Sequence, residues 1–309
     1  VGANLPRSFT ITDRSGVPVP LHDGGRYAIN STAVQNLKNE DLKTDLRVDV
    51  SREFATSVPF TLKIGAAFNR EEYEAANNGL NYTFRPGATV ADRLAGNYGV
   101  VDPNLFAVQN TYGQPIQWIS PIKVYNLFQQ RPEYFVLNAV TAYTNQVNGS
   151  KVLREDISAT YLRADVKLLG NRLWLVGGVR YERTDDEGRG PLNDPNGIYV
   201  KDATGNLVRN AAGAPVLITT DLLAQAKLRL TERGVRGSRN SSGYYPSLNA
   251  TYTITEGLVA RAGYAKSIGR PNLQFILPGV TFAAETAADN KLITVVNSGL
   301  RPWTADSYD

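Results

Sequence analysis

The sequence predicts an all-β fold, a transmembrane antiparallel β-barrel of which this chain forms a part, and three observations predict it. Several stretches alternate apolar and polar residues with a period of two, as amphipathic strands do. The turns inside each pair of stretches are short, whereas the segments between pairs run to tens of residues. The strands also reach roughly 10–14 residues, which is the length that a tilted membrane-spanning strand needs.

Three hairpins are predicted in order along the chain, and each sets an apolar face against a polar one. Their strands cover 46–51 with 62–69, 162–168 with 173–182, and 248–254 with 258–264. The connections over about 74–152, 187–243 and 269–303 are predicted to be extracellular loops, because outer-membrane barrels have short periplasmic turns and long outer loops. Loops of that length are uncommon in compact soluble domains. The sorting of loop lengths therefore favours a barrel over a soluble sheet with one face in solvent.

Charged residues recur on the polar face of these strands, where a packed core could not accept them without pairing. A water-filled interior could accept these charges. We therefore predict that the following side chains face the lumen: Arg47, Asp49, Arg163, Asp165, Arg180, Glu182 and Arg261. Tyr181, Tyr252 and Tyr264 lie on the apolar face near strand ends, as an aromatic girdle would.

Composition excludes several kinds of chemistry. The 309 residues include one His, no Cys and no Met, with 33 basic against 29 acidic side chains. Zinc-finger, thiol and His-triad sites are therefore excluded, and we predict no metal, no cofactor, no catalytic residue and no enzyme activity. The net charge of +4 is too mild to make a polyanion the default partner. Because Met is absent, we expect the chain to be a piece of a longer protein.

No membrane-spanning helix or secretory leader is predicted. The mean hydropathy is −0.28. The longest uncharged run, 103–122, carries amides and prolines, which indicates a loop. The first residues lack a basic head followed by an apolar stretch.

The segment 98–134 interleaves aromatic and amide side chains. Sugar rings stack on aromatic faces while their hydroxyls bond to amides, so this composition is typical of a saccharide site. The candidate ligand-binding residues are Tyr112, Trp118, Tyr125, Phe128 and Tyr134. The same aromatics would also form a small core of the loop itself, and the sequence leaves both interpretations open.

Other charged or polar segments are interpreted as turns and solvated loops. His22 is expected in a turn, because a metal or acid–base role needs partners that the sequence does not place. The acidic run 185–187 is expected on a solvated loop, since it lacks the spacing of a calcium-binding motif. The basic stretch 227–239 is expected to face anionic lipid rather than nucleic acid, since no aromatic is interleaved. Asp221 is a candidate cap for a short helix or a strand extension, and 202–206 is a predicted hairpin turn.

The second half of the chain resembles the barrel of TonB-dependent outer-membrane receptors. The matching stretches are EDISATY at 155–161, LVGGVRYERT at 175–184, YYPSLN at 244–249, VARAGYAKSIGRP at 259–271, ITVVNSGLRP at 293–302 and ADSYD at 305–309. In that family a strand ends in R-x-x-x-x-K-x-x-x-R-P, an N-x-x-L-x-P turn follows, and the next strand opens on D-x-Y-D. The positions here that match the motif, with an expected structural role, are Arg270, Pro271, Asn297, Leu300, Pro302, Asp306 and Tyr308.

The resemblance is specific over 155–309, and it assigns the whole of 1–309 to a barrel domain. It implies the middle of a barrel of about 22 strands in the bacterial outer membrane, with the plug domain and the TonB box outside this chain. It implies TonB-driven uptake of a scarce nutrient, first an oligosaccharide, as in a carbohydrate-utilisation branch, and second a ferric siderophore. The implied partners are the TonB complex through the plug, outer-membrane lipid and lipopolysaccharide, and the nutrient, with no nucleic acid. A soluble or secreted β-rich binding or adhesion module without transport remains the alternative.

Overall fold

The computed structural model describes residues 10, 12, 14–19, 22–102, 117–272, 275, 277–284, 292–297 and 299–309. In chain order the strands are β1 (Ser31–Val34), β2 (Leu37–Phe54), β3 (Phe60–Asn77), β4 (Leu80–Phe84), β5 (Val101–Asp102), β6 (Trp118–Ile119), β7 (Phe135–Leu137), β8 (Lys151–Leu168), β9 (Leu173–Asn193), β10 (Leu230–Thr255), β11 (Leu258–Gly269), β12 (Val280–Thr281), β13 (Thr294–Val295) and β14 (Trp303–Tyr308). The helices are α1 (Pro121–Gln130), α2 (Ala139–Gly149) and α3 (Leu222–Arg229). None of these described helices is long and apolar enough to cross a membrane.

The chain divides into two compact units. The first comprises Val1–Gln35 and Gly79–Ala142, and the second comprises Asn36–Asn78 and Tyr143–Asp309. We refer to them as the small unit and the sheet unit.

The sheet unit is an antiparallel meander with the strand order β14-β11-β10-β9-β8-β3-β2. All three predicted hairpins are present, as β2 with β3, β8 with β9, and β10 with β11. Among the described residues the path of pairing runs from β14 to β2 and does not return on itself.

The strands are longer than the sequence predicts. Three of them have 18 residues, β9 has 21 and β10 has 26. The predicted loop over 187–243 is therefore wrong in its bounds, because β9 continues to Asn193 and β10 already begins at Leu230. The acidic run 185–187 lies on β9 rather than on a loop. In these extensions of β9 and β10 both faces of the strand are polar. The alternation of apolar and polar residues that marks a strand in the sequence is therefore lost there.

Strand register gathers the apolar residues on one face of the sheet. One cross-strand row consists of Leu62, Ala164, Gly177, Leu248, Tyr264 and Tyr308. Leu162 and Val179 on this face remain exposed, so no second layer of protein covers them in the part of the chain that the structure describes. A row of the opposite face consists of Ser51, Lys63, Arg163, Gly178 and Ser247. The two faces therefore differ in polarity as the sequence predicts.

Aromatic pairs border the apolar face at both ends. Beside the short turn 55–59, Phe54 and Phe60 stack with ring centroids 4.7 Å apart. Toward the other end, the rings of Tyr181 and Tyr244 are 5.0 Å apart, and those of Tyr264 and Tyr308 are 5.1 Å apart. We call the apolar face between these two aromatic borders the apolar belt. Such a belt between aromatic rows is typical of a surface in contact with lipid.

Beyond the apolar belt the same face becomes charged. Arg70 bonds to Asp156 at 2.7 Å, Arg154 reaches the same carboxylate, and Arg183 bonds to Asp185 at 2.8 Å. These pairs occupy successive rows of β3, β8 and β9. The change from apolar to charged side chains marks the height at which hydrocarbon contact would end.

A segment after β11 turns onto the polar face of the sheet. β12 pairs in parallel with the end of β9, with Val280 opposite Leu192. Pro278 lies directly against Gly188 and Gly190, where an added Cβ would overlap it. Leu277 is buried against Leu153 and Tyr73. Glycines at alternate positions of β9 therefore give the segment room to lie on the strand backbone.

The small unit has its own core around Phe84. Its sheet has the strand order β1-β4-β7, and β5 pairs with β6. The core consists of Ile29, Phe84, Ala95, Val100 and Phe135. The ring of Phe84 meets Tyr98 edge-on at 5.2 Å and Phe135 at 5.1 Å. Helix α1 begins where the Ser120 side chain accepts a bond from the Lys123 amide and Pro121 takes the first helical position.

Candidate functional site

One candidate site is a cavity of about 990 Å³ on the polar face of the sheet unit. One side is formed by β2, β3 and β8, and the other by the segment that follows β11. Its aromatic residues are Tyr73 and Phe275, its amides are Asn39, Asn77 and Asn272, and its charged residues are Glu71, Lys151, Glu155 and Arg270. The size is that of a site for a small molecule, and the lining offers ring faces together with hydrogen-bonding groups.

A row of charged side chains crosses five strands, and two of its members, Glu71 and Glu155, line this cavity. The Cα partners in successive pairings are Lys43, Glu71, Glu155, Asp186 and Arg239. Three carboxylates are therefore neighbours, with a cation at each end. The Nζ of Lys43 lies 3.2 Å from Glu71, and Arg239 is paired with Asp186. We call Glu71, Glu155 and Asp186 the carboxylate row.

The centre of the carboxylate row is buried and lies beyond the apolar belt, outside the segments that would span a membrane. Glu155 and Asp186 are each only 6% exposed. Burial, and then the facing carboxylate of Asp186, raise the pKa of Glu155 to about 7, although Arg270 opposes the shift. Burial likewise raises the pKa of Asp186, against the opposing effect of Arg239. Near neutral pH the site therefore holds a proton that an exposed carboxyl would have lost.

Arg270 anchors the segment that forms the far side of the cavity. Its guanidinium pairs with Glu182 and bonds to the hydroxyl of Thr184 at 3.4 Å. Glu182 also accepts a bond from Arg180 at 2.9 Å. Because Glu182 is almost fully buried, these two cations offset the cost of desolvating its charge. The arginine of the R-P motif therefore fixes where the segment leaves β11.

The predicted lumen-facing residues all share the polar face of the sheet. Register brings Asp49 and Arg180 to one row through Gly65 and Tyr161. Arg163 bonds to Asp165 at 2.7 Å and Arg47 to Asp49 at 2.9 Å along their own strands. Arg261 lies on the same face, opposite Thr251. That this face lines a lumen stays a prediction.

The predicted loop aromatics fall into two groups. Phe128 and Tyr134 pack against the core of the small unit, as the alternative of a loop core expected. Trp118 and Tyr125 are exposed, at 45% and 57%. Tyr112 lies outside the described residues. A second cavity of about 440 Å³ lies between β1 and α1 and includes Tyr125 in its lining.

The remaining motif positions have structural contacts. The Tyr308 ring lies tilted against that of Tyr264, whose hydroxyl donates to Asp306 at 2.9 Å. The Asn297 side chain accepts a bond from the Gly299 amide at 3.0 Å, which is a turn contact. Pro271 lines the cavity beside Arg270. Leu300 and Pro302 lie in the connection between β13 and β14.

The minor predictions have mixed outcomes. Asp221 caps α3 by accepting a bond from the Ala224 amide at 2.6 Å, and 202–206 forms the predicted turn. His22 lies in a turn. The basic stretch 227–239 is not a loop, since it continues from α3 into β10. Its Arg236 pairs with Glu187, whereas Arg239 is buried in the charged row.

The carboxylate row itself is absent from the sequence-based site. Glu155 and Asp186 occur in the sequence as members of unremarkable charged runs. The turn at Leu169–Arg172 sets Leu168 opposite Leu173, and counting outward from it leads to Glu155 opposite Asp186. The register of this hairpin could therefore have predicted from the sequence that Glu155 lies opposite Asp186. In the described residues no group of three or more His, Cys, Asp or Glu is arranged to hold a metal ion.

Comparison with known proteins gives one match. A family described as TonB dependent receptor-like, beta-barrel matches residues 2–309. No curated protein matches the chain, and no solved structure matches it.

Proposed function

The chain belongs to the TonB-dependent receptor-like β-barrel family, and from that premise we propose that it takes up an oligosaccharide across the bacterial outer membrane. TonB-dependent receptors are outer-membrane transporters and not enzymes. The predicted family is thereby confirmed. Membership favours transport over the soluble binding or adhesion module.

The two faces of the sheet support a position in the membrane. The apolar belt would contact lipid, and the face that carries Arg47, Asp49, Arg163 and Arg180 would line a hydrated interior. In the complete barrel of about 22 strands, further strands would pair with β2 and β14. Closure of the barrel is testable, because a closed barrel resists SDS at room temperature. Unboiled samples should migrate differently from boiled ones on a gel, and identical migration would contradict the proposal.

The observation that carries the ligand class is the lining of the 990 Å³ cavity. Tyr73 and Phe275 offer ring faces, while Asn39, Asn77 and Asn272 offer amides. A sugar ring stacks its C–H face on an aromatic side chain and bonds its hydroxyls to amides and carboxylates. Trp118 and Tyr125 of the small unit would add accessible aromatic surface for the same kind of ligand.

A ferric siderophore is the second candidate, and the cations of the cavity favour it. Lys151 and Arg270 both line the cavity, and such side chains bind anionic ferric complexes through charge. The carboxylates of Glu71 and Glu155 line the same cavity and disfavour the binding of an anionic complex.

The proposal also assigns partners. The TonB complex would act through a plug region. Lipopolysaccharide would meet the charged surface beyond the apolar belt, where Arg70, Arg154 and Arg183 retain donors beside their carboxylate partners. Arginine forks suit the phosphates of that lipid.

The test is uptake by the bacterium that makes the protein. Radiolabelled chito-oligosaccharides, malto-oligosaccharides and radioiron-loaded siderophores are supplied to the parent strain, a strain lacking this gene and a strain lacking TonB. We expect oligosaccharide uptake that both deletions abolish. Uptake of iron alone would favour the second candidate, and uptake that does not depend on TonB would contradict transport of this kind.

A further inference from the structure

One of the two cations that line the cavity lacks a carboxylate partner. These cations are Lys151 and Arg270, and Arg270 pairs with Glu182. The ammonium group of Lys151 makes no ion pair and no side-chain hydrogen bond with any residue that the structure describes. Because Lys151 is only partly exposed, its charge has lost some of its water without gaining a counter-charge.

The carboxylates on this face of the neighbouring strands are engaged elsewhere. Asp41 and Glu71 share Lys43, whose Nζ lies 3.7 Å from the first carboxylate and 3.2 Å from the second. Glu155 shares a hydrogen bond with its neighbour on β9. It also lies four residues from Lys151 along β8, roughly 13 Å in an extended strand. Lys151 therefore occupies a separate end of the cavity, which we call the lysine end.

Strand register places an amide across from this lysine. Asn39, Ala75 and Lys151 form one cross-strand row, with Ala75 on the middle strand. Neighbouring strands lie about 4.8 Å apart, so the backbones of Asn39 and Lys151 are about 10 Å apart. The side chain between them is only a methyl group. The row therefore leaves a space above Ala75 that the two longer side chains flank.

Both flanking side chains offer hydrogen-bond donors to a ligand in the cavity that they line. The hydroxyl of Tyr73 donates to Oδ1 of Asn39 at 3.2 Å, so the amide keeps its Nδ2 donors for a ligand. The ammonium group of Lys151 has three donors and no acceptor. Two donor groups, one of them charged, match the two oxygens of a carboxylate. A sugar hydroxyl would bring no negative charge to this pair.

We propose that Lys151 determines the specificity of the cavity by binding a carboxylate, so that the ligand is an oligosaccharide with one uronic acid. The carboxylate lies above Ala75 and accepts hydrogen bonds from Lys151 and Asn39, while the sugar rings extend past Tyr73. Glu71 and Glu155 lie two rows further on, where a second acidic sugar would meet like charges. This inference rests on the proposed function of the cavity in oligosaccharide capture.

The test compares ligands that differ in one carboxylate. Native full-length receptor, purified from outer membranes in detergent, is titrated calorimetrically at neutral pH with xylotriose that carries one glucuronic acid. The matched ligand is the same compound with its carboxyl group reduced to an alcohol. We expect the acid to bind about tenfold more tightly, as one charge-assisted hydrogen bond permits. High salt should reduce this preference, because the lysine is partly exposed.

Three further ligands complete the comparison. The trimer of galacturonic acid should bind more weakly than the ligand with a single acid, because its other carboxylates would face Glu71 and Glu155. Maltotriose and chitotriose are the neutral references for oligosaccharide binding as such.

Three variants separate recognition from folding. Lys151→Gln keeps a hydrogen-bonding side chain and removes the charge, so the acid and its reduced form should bind equally. Lys151→Arg should retain the preference, because it keeps the charge. Lys167→Gln is the matched control, since it makes the same change on the same face of β8, sixteen residues away, and it should behave as the parent.

The outcomes distinguish the inference from the function beneath it. Equal binding of the acid and its reduced form, or a preference that Lys151→Gln leaves unchanged, would overturn the inference. So would binding of the neutral trimers without binding of the acid, and in each of these cases oligosaccharide uptake would still stand. If none of the five saccharides bound, the proposed function would fail and the inference with it.

Discussion

The contact between Pro278 and β9 makes a prediction that depends on the structure alone. Replacing Gly190 with Ala places a methyl group onto the carbonyl oxygen of Pro278, with the carbonyl carbon only 3.1 Å away. Carbon atoms in contact normally stand about 3.5–4.0 Å apart, so the segment has to move. The obstacle is backbone, which cannot rotate out of the way as a side chain can.

We expect Gly190→Ala to destabilise only the contact between this segment and β9. Overpacking of this kind costs about 1–3 kcal/mol, which raises the population of the detached segment by roughly 5–150-fold. The sheet itself should persist, because β9 keeps both of its long antiparallel neighbours.

The assay uses the absence of cysteine from the chain. Leu277→Cys introduces a single thiol at a position that is 9% exposed, and a maleimide reacts with it only when the segment opens. We expect faster labelling when Gly190→Ala is added. Gly257→Ala is the matched control, since no atom lies within 4 Å of a Cβ added there. An equal labelling rate in all three proteins would refute the placement of the segment on β9.

Three further predictions concern stability. Because the pKa of Glu155 is raised to about 7 from 4.5, its contribution to stability is full below pH 4.5 and is lost as pH rises through about 7, on the order of 3 kcal/mol in total. Glu155→Gln should flatten the difference between guanidinium unfolding midpoints at pH 5 and pH 8, and an unchanged difference would contradict a buried proton. Val166→Arg on the apolar belt should cost roughly 2–4 kcal/mol in refolding into lipid, with Asp165→Arg milder, and equal costs would contradict the assignment of faces. Phe84→Ala should cost about 3–5 kcal/mol, seen as faster proteolysis within the small unit, whereas Ile122→Ala, exposed at 69%, should change little.

Part of this architecture could be predicted because it is encoded locally. The period-two alternation of Leu162–Leu168 and Leu173–Tyr181 fixes which side chains share a face, and the short turn between them fixes the register. The faces, the hairpins and the family motif around Arg270 and Pro271 followed from the sequence for that reason.

The carboxylate row could not be predicted, because it crosses strands that no short turn connects. Along the sequence, residues 78–150, most of which belong to the small unit, lie between β3 and β8, and residues 194–229 lie between β9 and β10. A long connection imposes no register, so Glu71 opposite Glu155 and Asp186 opposite Arg239 are set only by the packing of the whole sheet.

The sequence by itself thus determined the amphipathic strands, their hairpins and the family, since each depends on neighbours a few residues apart. Only the tertiary structure decided which charges meet across the sheet and that the segment after Arg270 lies on Gly188 and Gly190. Both depend on pairings between distant parts of the chain, where the free energy of the assembled sheet, and not local preference, selects the partner.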